Sequence, residues 1–445
     1  MALESLSLDQ DKFVELLRKL IGEVKFLQNN PPDYIPKEDR AGRHVLDVLQ
    51  PLSTEEGGVL SVQHVSYAEG RGNIIVEYPG TDENEIMSFV GCHLDVVTAN
   101  PEDWDFDPFT LTVEGNKLRG RGTTDCLGHV ALLTELFRQL GTEKPKLRPT
   151  VVGVFIANEE NATDLGIGVD ALVAKGLLDK LKGGPLFWVD TADKQPCIGT
   201  GGMAAWRLKA TGKLFHSGLA HKAINPIELG FEALSEIQRR FYQDFPVHPM
   251  EGRYGFVTPS TIKPTQVSYP GGSVNQIPGE MTICGDIRVT PFYSVAEVVA
   301  RIKQYVDDIN ANLGQLPTHG PVSKYELPDE NLRGRVELSF DEMMMSGVAC
   351  RLDSPGFFAL CNATKAVFGK VTPYSITGSL PCIRELQDAG FDVQTMGYGV
   401  MSTYHAKNEY ALLEDFEGGF KVMTNIIAQV DSGNIVRDPS YVKAE

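Results

Sequence analysis

Four apolar runs of strand length stop at groups that can ligate or titrate, and this recurrence constrains the chain more than any other feature. FVGCHLDVV carries His93 and Asp95, and TVVGVFIA runs into Asn158, Glu159, Glu160 and Asn161. PLFWVD stops at Asp190, and the run QTMGYGV precedes His405. Helical patterns such as LLTELFRQL and ALVAKGLLDKL alternate with these runs. Parallel neighbours need a crossover long enough to hold a helix, so the alternation predicts an α/β domain with a mostly parallel central sheet flanked by helices. In open sheets of this kind, sites form beyond the carboxyl ends of the strands.

The remaining segments predict a second domain. An amphipathic helix is expected over 8–28, with Phe13, Leu16, Leu17, Leu20, Ile21 and Val24 on one face, and it breaks at NNPPDYIP. A helix over 37–49 and strands over 72–78 and 85–97 follow. From Trp206 the rhythm changes. WRLKATGKLFHSG reads as a strand, and Asn225-Pro226 opens a helix with Ile227, Phe231, Leu234, Ile237 and Phe241 on its apolar face. PTQVSYPGG and MTICGDIRVT read as strands, and Ser294 with Glu297 forms a capping box for a helix to about Leu313. This reads as a smaller α+β domain inserted at 206–319 into a first domain made of 1–205 and 320–445. Residues 321–351, including Met343 to Met345, receive no element and no function. The α/β rhythm resumes with a helix over 354–368, a strand over 372–376, a helix over 380–389 and a strand over 392–397.

Several partners are disfavoured by the bulk properties. A formal charge of −18 over 445 residues leaves little basic surface for nucleic acid. No apolar run approaches the length of a membrane span, and the N-terminus shows no signal-peptide core. Seven scattered Cys without a C-x-x-C fit a reducing compartment, so a cytoplasmic protein is expected.

Each polar cluster has a bland reading in isolation. An H-x-D on a strand is often a buried His bonded to a nearby acid, Asp125 in RGRGTTDCLGH could cap the following helix, and Glu159-Glu160 could be a solvated turn. Together, His93, Asp125, Glu159, Glu160, Asp190 and His405 fall at strand ends or in the loops beyond them, where a site is built. Imidazoles and carboxylates without thiolates suit Zn²⁺, or Co²⁺ and Mn²⁺ as substitutes. One ion needs three or four of these ligands. The surplus suggests two ions, a bridging carboxylate and one acid left as a general base.

From about Val45 to Leu413 the chain resembles the co-catalytic zinc amidohydrolases and exopeptidases, which include acetylornithine deacetylases, succinyl-diaminopimelate desuccinylases, aminoacylases and carboxypeptidase G. The matching motifs are H-L-D at 93–95, G-R-G-T-T-D at 120–125, N-E-E at 158–160, H-S-G at 216–218, N-Q-I-P-G-E at 275–280 and H-A-K-N-E at 405–409. The resemblance implies one metal on His93, Asp125 and Asp190 and another on Asp125, Glu160 and His405. It further implies Glu159 as general base and Asp95 as the group that orients His93. His216 becomes an oxyanion donor from the inserted lid/dimerisation domain, often across a homodimer, while Asn275 and Arg288 grip the substrate carboxylate. Backbone satisfaction of His216 and pairing of Arg288 with a neighbouring acid are the plain alternatives. Asp190 stands where bacterial deacetylases commonly carry Glu, and wording such as TADKQPC is nearest the plant-type acetylornithine deacetylase branch. The implied substrate is a small N-acyl amino acid, N-acetylornithine first, as in arginine and ornithine metabolism. Alternatives are a dipeptidase or aminoacylase of the same family, or an inactive metal-binding scaffold, against which the complete ligand set and intact Glu159 speak.

Overall fold

The computed structural model describes residue 3 and residues 6–161, 164–322 and 324–443. Ser323, in the unassigned 321–351 segment, and the outermost residues of the expected domains therefore lie outside it. The chain divides into two compact units. The first comprises Met1–Ile198, Cys350–Tyr374 and Pro381–Ala444, and the second Gly199–Ala349 with Ser375–Leu380.

The first unit is built on a mixed sheet whose central strands are parallel. Six of its nine strands are β1 (Ser61–Ser66), β2 (Gly72–Tyr78), β3 (Ile86–His93), β4 (Thr150–Ile156), β5 (Pro185–Val189) and β6 (Asp392–Met396), neighbours in the spatial order β1-β2-β4-β3-β5-β6. β4, β3, β5 and β6 run parallel, while β1 and β2 pair antiparallel at one side. The register puts His93 beside Ile156, and Val189 beside Met396. The parallel strands therefore finish along one edge, as the strand-helix alternation predicts.

Helices cover the sheet because their apolar stripes have nowhere else to go. α1 (Gln10–Gly22) buries Phe13, Leu16, Leu17, Leu20 and Ile21, and α2 (Asp39–Leu49) buries Ala41, Val45 and Leu49. α3 (Leu127–Glu143) is buried along almost its whole length. α4 (Pro355–Phe368) is capped by Ser354, and α5 (Leu413–Ser432) packs against it. α5 has no counterpart in the sequence reading because Gly418 and Gly419 interrupt its helical signal. Both are packing glycines: an added Cβ would lie 2.4 Å from the Phe368 ring and 2.5 Å from that of Tyr398. β1 also goes unread, since SVQHVS is largely exposed and is held by its pairing to β2. The first helix is shorter than expected, ending at Gly22 before a separate 3₁₀ turn, Val24–Phe26. Among the described residues no helix is long and apolar enough to cross a membrane.

The second unit is α+β, as expected for an inserted domain. Its antiparallel sheet has the order Thr261–Ser268, Glu280–Val289, Gly202–Thr211, Arg335–Met345. The helices Pro226–Asp244, capped by Asn225, and Val295–Ala311, capped by Ser294, share its core with Trp206, Leu208, Ile283 and Ile287. Three expectations need correction. Residues 320–349 belong to this unit rather than to the first, because Arg335–Met345 pairs with Gly202–Thr211. The Met triplet lies on that edge strand, neither loop nor core, with Met343 and Met344 exposed; the alternation of Val336, Leu338 and Phe340 was the readable signal. Phe231 is 48% exposed, since the buried stripe runs through Leu229, Ala233, Ile237 and Phe241, two residues out of phase with it.

β3 is the strand most constrained by its neighbours. Its register shifts between Val90 and Cys92, where Gly91 has φ +97° and an added Cβ would lie 2.5 Å from the Trp188 ring. The bulge aims the last residues of the strand toward the edge. Gly91→Ala combines positive-φ strain with overpacking, each costing about 1–3 kcal/mol. Urea unfolding is expected to show a stability loss of about 2–6 kcal/mol; an unchanged midpoint would mean that the bulge relaxes freely.

Candidate metal centre

The site belongs to the first unit and is centred on Asp125. The G-R-G-T-T-D loop leads into α3 and places the Asp125 carboxylate between two imidazoles. Oδ1 lies 3.0 Å from His93 Nε2 and Oδ2 3.1 Å from His405 Nε2. Each imidazole meets a further carboxylate: Asp190 Oδ1 is 3.6 Å from His93 Nε2, and Glu160 Oε2 is 3.2 Å from His405 Nε2. Glu159 Oε2 stands 3.9 Å from His93 Nε2, beyond hydrogen-bond reach. The structure thus brings His93, Asp125, Glu159, Glu160, Asp190 and His405 together.

These separations fit metal ions. Two N or O ligands about 2.0–2.2 Å from one ion, at near-tetrahedral or right angles, stand about 3.0–3.5 Å apart. His93, Asp125 and Glu160 offer atoms within 4.8 Å of one another, as do His93, Cys126 and Asp190. Asp190 Oδ1 is buried without a hydrogen-bond partner, which is costly for a carboxylate unless a cation meets it. The Cys126 thiol points to the carbonyl of Val189 at 3.7 Å and lies 3.7 Å from His129 Nδ1.

Electrostatics support the same reading. Burial pushes the carboxyl of Glu159 well above its ordinary range and raises that of Glu160 to about 7 and that of Asp190 to about 6. Burial also opposes charge on Asp125, but hydrogen bonds from His405 and His93 outweigh it and hold this group low. Hydrogen bonds to Asp125 and Glu160 raise His405 to about 11. Four buried carboxylates therefore share one small volume and draw positive charge to it.

Asp95 has a further task beside the expected one at His93. β3 ends at His93, so Asp95 is not on the strand, and the nearest partner of His93 Nδ1 is the Asp95 backbone carbonyl at 2.9 Å, with the carboxylate at 3.4 Å. That carboxylate also accepts the backbone N–H groups of Glu159, at 3.1 Å, and Glu160, at 3.0 Å, and the side chain of Asn29 at 2.8 Å. It holds the two glutamates at least as much as the histidine.

Sequence reasoning passed over other anchors. Glu409, fully buried, accepts the N–H groups of Gly122, Thr124 and Asp125 and a 2.7 Å bond from Arg121, fixing the Asp125 loop. It lies inside H-A-K-N-E, yet nothing in that pattern says that its carboxylate turns back on the backbone. Tyr404 donates its hydroxyl to the carbonyl of Asp190, tying the His405 loop to the end of β5. Asn29 carries no signal beyond a helix break.

The second unit carries the remaining expected residues. His216 accepts the N–H of Gly218 on Nδ1 at 3.0 Å, which leaves its proton on Nε2. The strand of His216 pairs with Gln276–Ile277, and Ser217 donates to the carbonyl of Asn275, so His216 and Asn275 are neighbours. Asn275 accepts a bond from Ser273, and Arg288 is paired with Asp286 at 2.7 Å.

Fold and site define a metallohydrolase, and comparison gives its family. Residues 89–429 match the model of peptidase family M20/M25/M40, and the chain belongs to that family. Acetylornithine deacetylase of Arabidopsis thaliana is 66% identical over 96% of this chain and 97% of its own length, and that of Dictyostelium discoideum is 52% identical over 95% and 97%. Among solved structures, an M20 family metallo-carboxypeptidase from Sulfolobus solfataricus shares the fold, with TM-score 0.64 and 16% identity over 95% of this chain and 100% of the other.

The Glu409 cradle makes a stability prediction that needs no metal. Glu409→Gln removes the charge facing Arg121 and turns an amide donor toward backbone donors. Breaking a buried pair of this kind costs about 3–5 kcal/mol. Denaturant unfolding of metal-free protein should show a loss of that size, whereas a shift below about 1 kcal/mol would mean that water replaces the carboxylate.

Proposed function

We propose that this chain is a two-metal amidohydrolase that converts N-acetylornithine to ornithine and acetate. The observation that carries the reading is Asp125, one oxygen toward His93 and Asp190 and the other toward His405 and Glu160, with Glu159 held beside them. The high identity to the plant and slime-mould deacetylases over nearly the full chain supports the substrate.

His93, Asp190 and Asp125 Oδ1 would hold one ion and Asp125 Oδ2, Glu160 and His405 the other. Zn²⁺ suits these donors, and Co²⁺ or Mn²⁺ can substitute. When bound, such ions polarise the acyl carbonyl and lower the pKa of water to about 7. Glu159 accepts the proton of the attacking water and returns it to the departing amine. Burial raises its carboxyl above the ordinary range, which makes its carboxylate a stronger base. Asp95 keeps Glu159 and Glu160 in place through their backbone.

The second unit acts in this reading as a lid and dimerisation domain. His216, with its proton on Nε2, donates to the oxyanion, and Asn275 and Arg288 take the substrate carboxylate, for which a guanidinium fork is suited. A homodimer is supported by the edge strand Thr261–Ser268, exposed on both faces over most of its length, with Val267 and nearby Tyr269 open to solvent. Seven scattered cysteines without a C-x-x-C support a reducing, cytoplasmic setting.

Metal-loaded protein should release acetate from N-acetylornithine faster than from N-acetylmethionine or simple dipeptides, lose this activity to a chelator and regain it with Zn²⁺ or Co²⁺. Comparable or higher kcat/KM on dipeptides would overturn the substrate assignment. Glu159→Gln should keep the bound metal while kcat falls about 10²–10⁴-fold; near-normal kcat would remove Glu159 as base. If His216 acts across a dimer, inactive His216→Ala mixed with inactive Glu159→Gln should recover partial activity after subunit exchange. Verified exchange without recovery would confine His216 to its own chain or remove it from the reaction.

A further inference from the structure

Glu159 owes its direction to its backbone, and that backbone is held from a part of the first unit with no chemistry assigned to it. The residue before it, Asn158, sits in the left-handed region at φ +58° and is 7% exposed. Its N–H donates to Glu38 Oε1 at 3.2 Å, and its Oδ1 accepts from Arg71 Nη2 and Asn29 Nδ2, each at 2.9 Å. Its amide nitrogen donates to the carbonyls of Asn161 and Asp164. Asn29 also donates to Asp95, which receives the N–H of Glu159.

Behind Asn158 stands a buried ion pair. Arg71 grips Glu38 in fork fashion, with Nη2 2.7 Å from Oε1 and Nε 3.1 Å from Oε2, and its Nη1 reaches Asp164 at 2.8 Å. Glu38 is fully buried and Arg71 is 3% exposed. Burying two charges is expensive, and an apolar pair would fill the space at less cost. A planar guanidinium does what an apolar pair cannot: it fixes a direction through several bonds at once. Here those bonds end on both polar ends of Asn158, its N–H by way of Glu38 and its Oδ1 directly.

We propose that Arg71, paired with Glu38, is a positioning residue for Glu159, acting through Asn158. The inference rests on Glu159 being the base. With Asn158 clamped on one side and Asp95 holding the Glu159 N–H on the other, the carboxylate of Glu159 is turned toward His93 Nε2, 3.9 Å away, rather than into solvent. Loosening the clamp leaves the proposed metal ligands His93, Asp125, Asp190 and His405 on their own supports, and Glu160 keeps its bonds to the Val97 N–H and to His405. The expected signature is a loss in kcat, with KM and metal content preserved.

The test uses the full chain with the N-acyl amino acid that it turns over fastest. Arg71→Lys keeps the charge and loses the fork. Asn158→Gly removes the relay while tolerating the positive φ, so it carries the test even if Arg71→Lys folds poorly. Each is made alone and in the Glu159→Gln background, and kcat, KM and metal per chain are measured. Misplacing a reacting group by a fraction of an ångström to an ångström costs about tenfold to a hundredfold. The single variants should lose that much kcat, with KM within about twofold. In the Glu159→Gln background the same changes should alter the residual rate by less than about twofold, because their target is already gone. Wild-type kcat in Asn158→Gly, lost metal, or an equal fractional loss in both backgrounds would overturn the proposal. A normal rate in Glu159→Gln itself would overturn the base assignment instead, so the two failures are distinguishable.

Discussion

The structure depends on keeping four carboxylates buried within a few ångströms of one another. Like charges at such distances repel strongly in a medium of low polarisability, and each ionised group has also lost its water. Asp125 stays ionised because an imidazole faces each of its oxygens, while Glu159, Glu160 and Asp190 are pushed up by burial. The arrangement is stable only with compensating cations. This explains why the groups are rigidly held: a flexible loop carrying any of them would swing its charge into water.

Rigidity comes from second carboxylates that spend their charge on backbone N–H groups. Glu409 takes three such donors on the Asp125 loop, and Asp95 takes two at Glu159 and Glu160. Glu409 lies 284 residues from Asp125 and Asp95 lies 64 from Glu159, so the site closes only after distant segments dock. A carboxylate bonded to several N–H groups is held without a side chain's freedom to rotate away. Side chains placed beforehand would meet metal ions at a lower entropic cost of binding.

How much of this could be read from residues depends on the kind of signal. β3, β4, β5 and β6 were legible because apolar runs bounded by polar groups report burial on both faces, and Asn225 and Ser294 announced their helices by cap chemistry. β1 was not, since an edge strand exposed on much of its surface has no burial pattern, and α5 was masked by two glycines that exist for close packing. The residues meeting at Asp125 were legible from strand-end placement together with the family motifs. The supports were not. Asn29, Glu38 and Arg71 look like ordinary surface residues in the sequence and become buried through contacts 33 to 129 residues away. Asp95 was recognised as second to His93, but its stronger bonds run to a loop whose path the sequence does not reveal.

Adjacent glutamates divide their roles through what each oxygen already touches. Asp95 pins both peptide groups, so the two side chains leave the loop in different directions. Glu160 has its Oε1 taken by the N–H of Val97 at 3.2 Å and its Oε2 by His405. Both of its oxygens are therefore held in place. Glu159 stands 3.9 Å from His93, near enough to feel its charge but too far to be consumed by a bond. Close to His93, desolvated and outside hydrogen-bond reach of it, Glu159 has the position that the proposed base requires.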